Sequence, residues 1–164
     1  MTGMQFWQQS TATVETRAST CLCSRGRSTR RFSHGSPLRL ADRAAAGVNL
    51  RLCFGDPASE SVAVRDREER IGGTLAHKIR SSLTYYRPLH NVDGCEVRLH
   101  STTLYASLFR YDDEILVNPN AYGEAASANP VPHMRRLDGA GLFDHYVASF
   151  ERVWETALPW TGET

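Results

Sequence analysis

Hydrophobic and polar positions recur in regular patterns from about residue 40 onward, and these patterns predict the elements of a mixed domain. Apolar side chains at every second position from Val48 to Phe54 predict a strand. Apolar residues at mostly three-to-four spacing between residues 59 and 88 predict a long helix. Gly72-Gly73 is expected to kink or break this helix, and Pro88 to end it.

The second half of the chain predicts more strands and a closing helix. Cys95–His100 alternates as a strand, and residues 103–111 are joined to residues 115–118 by an acidic turn, which is typical of a hairpin. Residues 128–137 contain prolines and predict an edge strand, while residues 142–157 predict an amphipathic helix. The sequence therefore predicts an α/β fold with a mixed β-sheet flanked by helices.

The first 39 residues differ from the rest in charge, in Ser and Thr content and in apolar periodicity. They contain six arginines, one acidic residue and twelve Ser or Thr, with no apolar periodicity, whereas residues 40–164 contain 13 basic and 17 acidic residues. We predict that residues 1–39 are disordered or foreign to the domain, which spans residues 40–160. Such a segment is either a basic tail that binds nucleic acid weakly through phosphates or coding sequence that is not the domain's own.

Composition excludes several classes of protein. The chain has 164 residues, a net charge of +1 and 41% hydrophobic residues, which is ordinary for one globular domain. No apolar run approaches the roughly 18 residues of a membrane span, and the N-terminus lacks a secretory pattern. We therefore expect a cytoplasmic protein with no membrane partner. The four cysteines lack the spacing of a disulfide scaffold or zinc site, and we expect them to be reduced.

Three segments carry a resemblance to a known family: AAAGVNLRLCFGDP, VRLHSTTLYASLFRYDDEILVNPNAYG and LFDHYVASFERVW. Together they make residues 40–154 similar to an uncharacterised domain found C-terminal to the DNA-binding region of bacterial helix-turn-helix regulators of the Xre type. That family looks phospholipase D-like, with the frame H-x-K-x4-D. The resemblance implies that a first strand before residue 40 is missing, and that the DNA-binding half is absent from this chain.

The frame is degenerate here, because Tyr105 stands in the position of the His, Ser107 in that of the Lys, and Asp112 matches the acid. Phosphodiesterases of that superfamily need imidazoles for nucleophilic and acid catalysis and a lysine for the phosphate. A phenol has an ordinary pKa of about 10. Strand alternation also predicts that Arg110 points to the opposite face from Tyr105 and Ser107. We expect the fold to persist without the reaction.

The sequence predicts a non-catalytic regulatory or ligand-sensing domain derived from a helix-turn-helix regulator. The alternative is a phosphodiesterase or nuclease that uses Tyr105 as nucleophile. The dispersed histidines suggest no metal site, and no cofactor is expected. The partner is a small ligand or a protein, and the unpaired apolar edge of the Val48 strand predicts self-association. The candidate ligand-binding residues are His100, Tyr105, Ser107, Asp112, Asn118, Asn120 and Tyr122.

Three groups of candidate residues have a simpler interpretation that stays open at this point. His100 is either a ligand-binding residue or a hydrogen-bonded structural histidine. Asp112 and Asp113 are either binding residues or the turn of the hairpin, since Asp is a standard turn residue. Asn118, Asn120 and the tyrosine that follows form either the mouth of a pocket or an ordinary Pro/Asn/Gly turn.

Overall fold

One mixed β-sheet of seven strands organises the part of the chain that the structure describes. The computed structural model describes residues 21–25, 37–123 and 129–163. The strands are β1 (Cys21–Arg25), β2 (Asn49–Gly55), β3 (Cys95–His100), β4 (Ala106–Tyr111), β5 (Glu114–Pro119), β6 (His133–Arg135) and β7 (Leu158–Pro159). The helices are α1 (Pro37–Ala45), α2 (Glu60–Glu68), α3 (Thr74–Tyr86), a 3₁₀ turn (Arg87–Leu89) and α4 (Leu142–Thr156).

The sheet has the order β6-β5-β4-β1-β2-β3-β7. The pairs β2–β3 and β1–β4 are parallel, and the remaining pairs are antiparallel. The register aligns Gly55 with His100 and Ala106 with Pro119. As a result β2, β3 and β5 end, and β4 begins, at the same edge of the sheet. We call this the carboxyl edge. The α/β class predicted from the sequence is confirmed.

Strand alternation divides the apolar side chains between two faces of the sheet. On one face Leu50, Leu52 and Phe54 pack beneath α1, α2 and α3 in the larger core. On the other face Cys53 and Leu108 pack against α4 in the smaller core. Each fully buried Leu or Phe stabilises the fold by about 1.5–3 kcal/mol, so these two layers hold the helices on the sheet.

The predicted long helix is two helices, and the break falls at the glycine pair. Gly73 has φ +83°, a left-handed conformation that glycine adopts without a side-chain clash. The Asp66 carboxylate accepts hydrogen bonds from the backbone N–H groups of Gly73 (2.5 Å) and Leu75 (2.8 Å). One buried acid near the end of α2 therefore satisfies the first turn of α3.

The structure corrects the expectation of a missing first strand. β2 lies between β1 and β3, with β1 antiparallel to it over Cys21–Arg25 and Asn49–Cys53. The apolar edge on which we based self-association is therefore paired. Sequence periodicity missed β1 because a strand of five residues that ends in Ser24 and Arg25 is too short to show an apolar period. The rest of the predicted disordered segment, residues 1–20 and 26–36, lies outside the described residues.

Other predicted elements are confirmed with shifted bounds. β6 occupies the end of the sheet, as the prolines in residues 128–137 predicted. The predicted strand over residues 103–111 begins only at Ala106. None of the helices within the described ranges has the length and apolar character needed to cross a bilayer.

Candidate ligand-binding site

A cavity of about 280 Å³ lies between the sheet and α4, next to the carboxyl edge. We call it the α4 cavity. It is lined by Cys53, His100, Leu104, Tyr105, Ala106, Leu108, Tyr146, Ser149, Phe150 and Val153.

Cys53 forms part of the cavity wall on the side of the sheet, and its thiol is unreactive. The side chain is almost completely buried. Burial raises the pKa of the Cys53 thiol to about 12, although the positive charge of Arg98 acts in the opposite direction. Only the thiolate is a good nucleophile. Cys53 therefore contributes apolar wall and no covalent chemistry at neutral pH.

His100 closes the sheet wall at the carboxyl edge. Its side chain is buried, and its Nδ1 accepts a hydrogen bond from the backbone N–H of Thr102 at 3.3 Å. In the neutral imidazole this bond places the proton on Nε2. His100 is thus a hydrogen-bonded histidine anchored to the loop after β3, and it also lines the cavity. That it binds a ligand stays a prediction.

The outer wall of the cavity is one face of α4. Tyr146, Ser149 and Val153 recur at helical spacing on that face. Arg51 of β2 fastens the helix to the sheet by a bidentate ion pair with Glu151, both contacts being 2.7 Å. The same guanidinium lies 4.8 Å from the centroid of the Phe150 ring. This clamp ties α4 to β2 beside the cavity.

Tyr105 stands at the cavity wall where the loop enters β4. Its side chain is 53% exposed, and its ring lies 4.8 Å from the guanidinium carbon of Arg65 in α2. The backbone carbonyl of Tyr105 accepts a hydrogen bond from the N–H of Asn120 at 2.8 Å. Tyr105 therefore borders the α4 cavity and also contacts a charged residue of the opposite layer.

A group of buried polar residues lies on the α1–α3 face of the carboxyl edge. Ser107 pairs across strands with Asn118, and alternation puts both on the same face as Phe109 and Leu116 of the larger core. Asn120, two residues after Asn118, belongs to the same row. We call Arg65, Ser107, Asn118 and Asn120 the amide cluster; all four are buried.

Arg65 of the amide cluster is paired with two carboxylates. Its guanidinium contacts Glu69 at 2.5 Å and Glu68 at 3.1 Å. Both acids belong to the same turn of helix, at (i, i+4) and (i, i+3). Two carboxylates against one guanidinium leave the local charge negative, which disfavours an anionic ligand.

The structure divides the candidate residues predicted from the sequence. His100 and Tyr105 meet at the α4 cavity, and Ser107, Asn118 and Asn120 meet in the amide cluster. Tyr122 is exposed in the loop beyond β5. Asp112 is at the far end of β4, where it has φ +52° and its carbonyl accepts a hydrogen bond from Arg110 Nε. Asp112 and Asp113 therefore form the hairpin turn, as the simpler interpretation held.

The degenerate frame does not converge on one point. Tyr105 and Asp112 are seven residues apart along β4, a span of about 23 Å. Arg110 lies on the α4 face, where its guanidinium carbon is 5.7 Å from the ring centroid of Phe143. This placement agrees with the predicted separation of Arg110 from Ser107, whereas Tyr105 borders the α4 cavity and is not confined to the opposite face.

Sequence reasoning missed several residues of the site. Tyr146 and Ser149 lie within the amphipathic helix predicted over residues 142–157, and their spacing gives no sign of a cavity. Arg65 is one of many charged residues in its segment, and nothing in the pattern marks it as buried. Only the packing of α2 against the sheet reveals it.

Comparisons of the chain with protein-family models, with curated proteins and with solved structures find no match. The resemblance to regulators of the Xre type therefore stays a prediction. The geometry of the α4 cavity and of the amide cluster is what bears on function.

Proposed function

We propose that this protein is a non-catalytic ligand-sensing domain that binds a small, uncharged, mostly apolar molecule in the α4 cavity. The observation that carries this proposal is the lining: six of its ten residues are apolar, counting the protonated Cys53. The other four lining residues carry hydroxyl or imidazole groups: His100, Tyr105, Tyr146 and Ser149. A mostly apolar wall with a few polar groups is typical of small-molecule sites.

The size of the cavity limits the ligand. An engineered cavity of about 150 Å³ takes one benzene ring, and drug-sized sites start at about 300 Å³. The 280 Å³ here suits a molecule of one or two fused rings, or an aliphatic chain of similar volume. Larger ligands would have to displace α4.

The charge of the wall limits the ligand further. None of the ten described lining residues is Asp, Glu, Lys or Arg. An ion in an apolar site without a counter-charge is strongly disfavoured, so the ligand is neutral. A phosphate ester, which a phosphodiesterase would bind, does not fit this environment.

The proposed context is transcriptional regulation in the cytoplasm, in a domain of phospholipase D-like ancestry that accompanied a helix-turn-helix half. The support is the sequence resemblance and the frame Tyr105-x-Ser107-x4-Asp112 along β4. The test is the nucleotide sequence upstream of the domain, translated in three frames. A helix-turn-helix coding frame supports this origin, and its absence from all three frames contradicts it.

Isothermal titration calorimetry with two probes tests ligand binding. We expect neutral 1-naphthol to bind with a Kd of about 10–100 μM and charged 1-naphthoate to bind at least about tenfold more weakly. Ser149→Phe fills the cavity and should abolish naphthol binding. Ala148→Phe adds a similar ring at the exposed neighbouring position and should leave binding unchanged. Equal binding by both variants would contradict the proposed site.

The phosphodiesterase alternative retains one supporting observation, the guanidinium of Arg65 beside the ring of Tyr105. Bis(4-nitrophenyl) phosphate and single-stranded DNA are suitable substrates. Turnover that Tyr105→Phe abolishes, or a phosphotyrosine trapped on Tyr105, would establish the alternative. The absence of both, in protein that binds 1-naphthol, supports the non-catalytic assignment.

A further inference from the structure

The amide cluster contains buried polar atoms that have no hydrogen-bond partner among the residues that the structure describes. They are Nε of Arg65, Oδ1 of Asn118, and both Oδ1 and Nδ2 of Asn120. The three side chains are 3%, 6% and 7% exposed. Buried polar groups in folded proteins are nearly always paired, and an unpaired one costs about 1–3 kcal/mol. Tyr105 links these residues, because its ring lies 4.8 Å from the Arg65 guanidinium carbon and its carbonyl accepts a hydrogen bond from the Asn120 N–H. Their unpaired atoms indicate a site that another molecule completes.

The unpaired atoms define the chemistry of that molecule. Asn120 offers a hydrogen-bond donor and an acceptor side by side. A ligand with an adjacent acceptor and donor can form two parallel hydrogen bonds with this side chain. Arg65 adds a donor and Asn118 an acceptor. Because Glu68 and Glu69 leave the charge around Arg65 negative, an anionic complement is disfavoured, and a neutral edge with donor and acceptor atoms is enough to pair the unpaired atoms.

We propose that the amide cluster is a second binding site, separate from the α4 cavity, for a neutral planar group with adjacent donor and acceptor atoms. A primary carboxamide and a nucleobase both carry such an edge. The site goes beyond the function proposed above, because it uses the opposite face of the sheet and a different ligand chemistry.

The ring of Tyr105, which also borders the α4 cavity, lies over Arg65 and shields this second site from solvent. The ring contacts the Arg65 guanidinium on one side and is half exposed to solvent. Rotation of this ring uncovers Arg65 without disturbing a strand, since Tyr105 precedes β4. An incoming planar group then takes the position of the ring, where the guanidinium supplies a cation to stack on.

Titration calorimetry of the full chain with three probes tests the proposal. We expect nicotinamide to bind in the millimolar range or tighter, and nicotinate, which has the same ring with a charged carboxylate, to bind at least about tenfold more weakly. Adenine distinguishes a nucleobase ligand from a carboxamide ligand. Binding of adenine more tightly than nicotinamide assigns a nucleobase, and the reverse order assigns a carboxamide.

Two variants make the test independent of the α4 cavity. Asn120→Leu removes the unpaired amide with little change of shape, so it should abolish nicotinamide binding and raise Tm by about 3 °C. Asn49→Leu, at an exposed position, is the matched control and should change neither. Ser149→Phe, which fills the α4 cavity, should still bind nicotinamide.

Three results would overturn the proposal. The first is no binding of nicotinamide or adenine by the wild-type chain. The second is a lower Tm for Asn120→Leu, which would mean that the amide has a structural partner. The third is loss of nicotinamide binding in Ser149→Phe with retention in Asn120→Leu, which would move the ligand to the α4 cavity.

Discussion

The clamp between Arg51 and Glu151 holds the outer wall of the α4 cavity, and its removal should weaken the fold by a predictable amount. The two residues make a bidentate ion pair at 2.7 Å, with 21% and 35% of their side chains exposed. The Arg51 guanidinium also lies 4.8 Å from the Phe150 ring and 5.2 Å from the Trp154 ring. We consider the pair of substitutions Arg51→Met and Glu151→Gln.

The expected magnitudes follow from exposure and geometry. Partly exposed ion pairs contribute at most about 1 kcal/mol, and bidentate geometry puts this pair at the upper end. Each cation–π contact at such a site adds about 0.5–1 kcal/mol, part of which the apolar Met chain retains. Arg51→Met should therefore cost about 2 kcal/mol and Glu151→Gln about 1 kcal/mol. The double variant should cost about 2 kcal/mol, because the ion pair is lost only once.

Urea unfolding followed by tryptophan fluorescence measures these free energies, since Trp154 lies beside the clamp. The coupling in the double-mutant cycle should be about 1 kcal/mol. Arg152→Met, at an exposed position of α4, is the matched control and should change stability by less than about 0.5 kcal/mol. Additive effects of the two clamp substitutions would refute the view that this pair joins the helix to the sheet.

Two further predictions concern titrating groups. Burial by itself would raise the pKa of Glu114, but the hydrogen bonds from Arg135 and His133 outweigh it and lower that pKa, so its stabilisation should be lost as pH falls below about 4. Unfolding free energies at pH 6 and pH 3 should accordingly differ less in Glu114→Gln than in wild type, and an equal difference would contradict the assignment. Burial raises the pKa of Cys53 to about 12 and that of Cys95 to about 11, so a variant with Cys21→Ser and Cys23→Ser should react slowly with Ellman's reagent near pH 8. Rapid reaction of one thiol would show that its site is open.

The strands and helices that carry a strong apolar period could be predicted from the sequence. β2, β3 and α4 are examples, because a residue that must be buried repeats at the period of its element. β1 could not be predicted in this way, since its five residues end in Ser24 and Arg25 and are too few to show an apolar period. The open edge inferred for β2 followed from that omission.

Only some residues of the candidate site could be predicted from the sequence. His100, Tyr105 and Asn118 end or begin strands, and residues at strand ends are the ones that an α/β sheet presents to ligands. Arg65 and Ser149 belong to helices, and their places depend on how those helices pack on the sheet. Periodicity describes one element at a time, so it leaves such contacts between layers undetermined.

Chemical-shift mapping of the ¹⁵N-labelled chain during titration with 1-naphthol tests the binding assignment most directly. We expect the amide signals of Cys53, His100 and Ser149 to change chemical shift together and to saturate with one affinity, while the signal of the exposed Glu155 does not change. Shifts that spare the first three amides, or a spectrum that does not respond at all, would contradict the assignment of the α4 cavity as the ligand site.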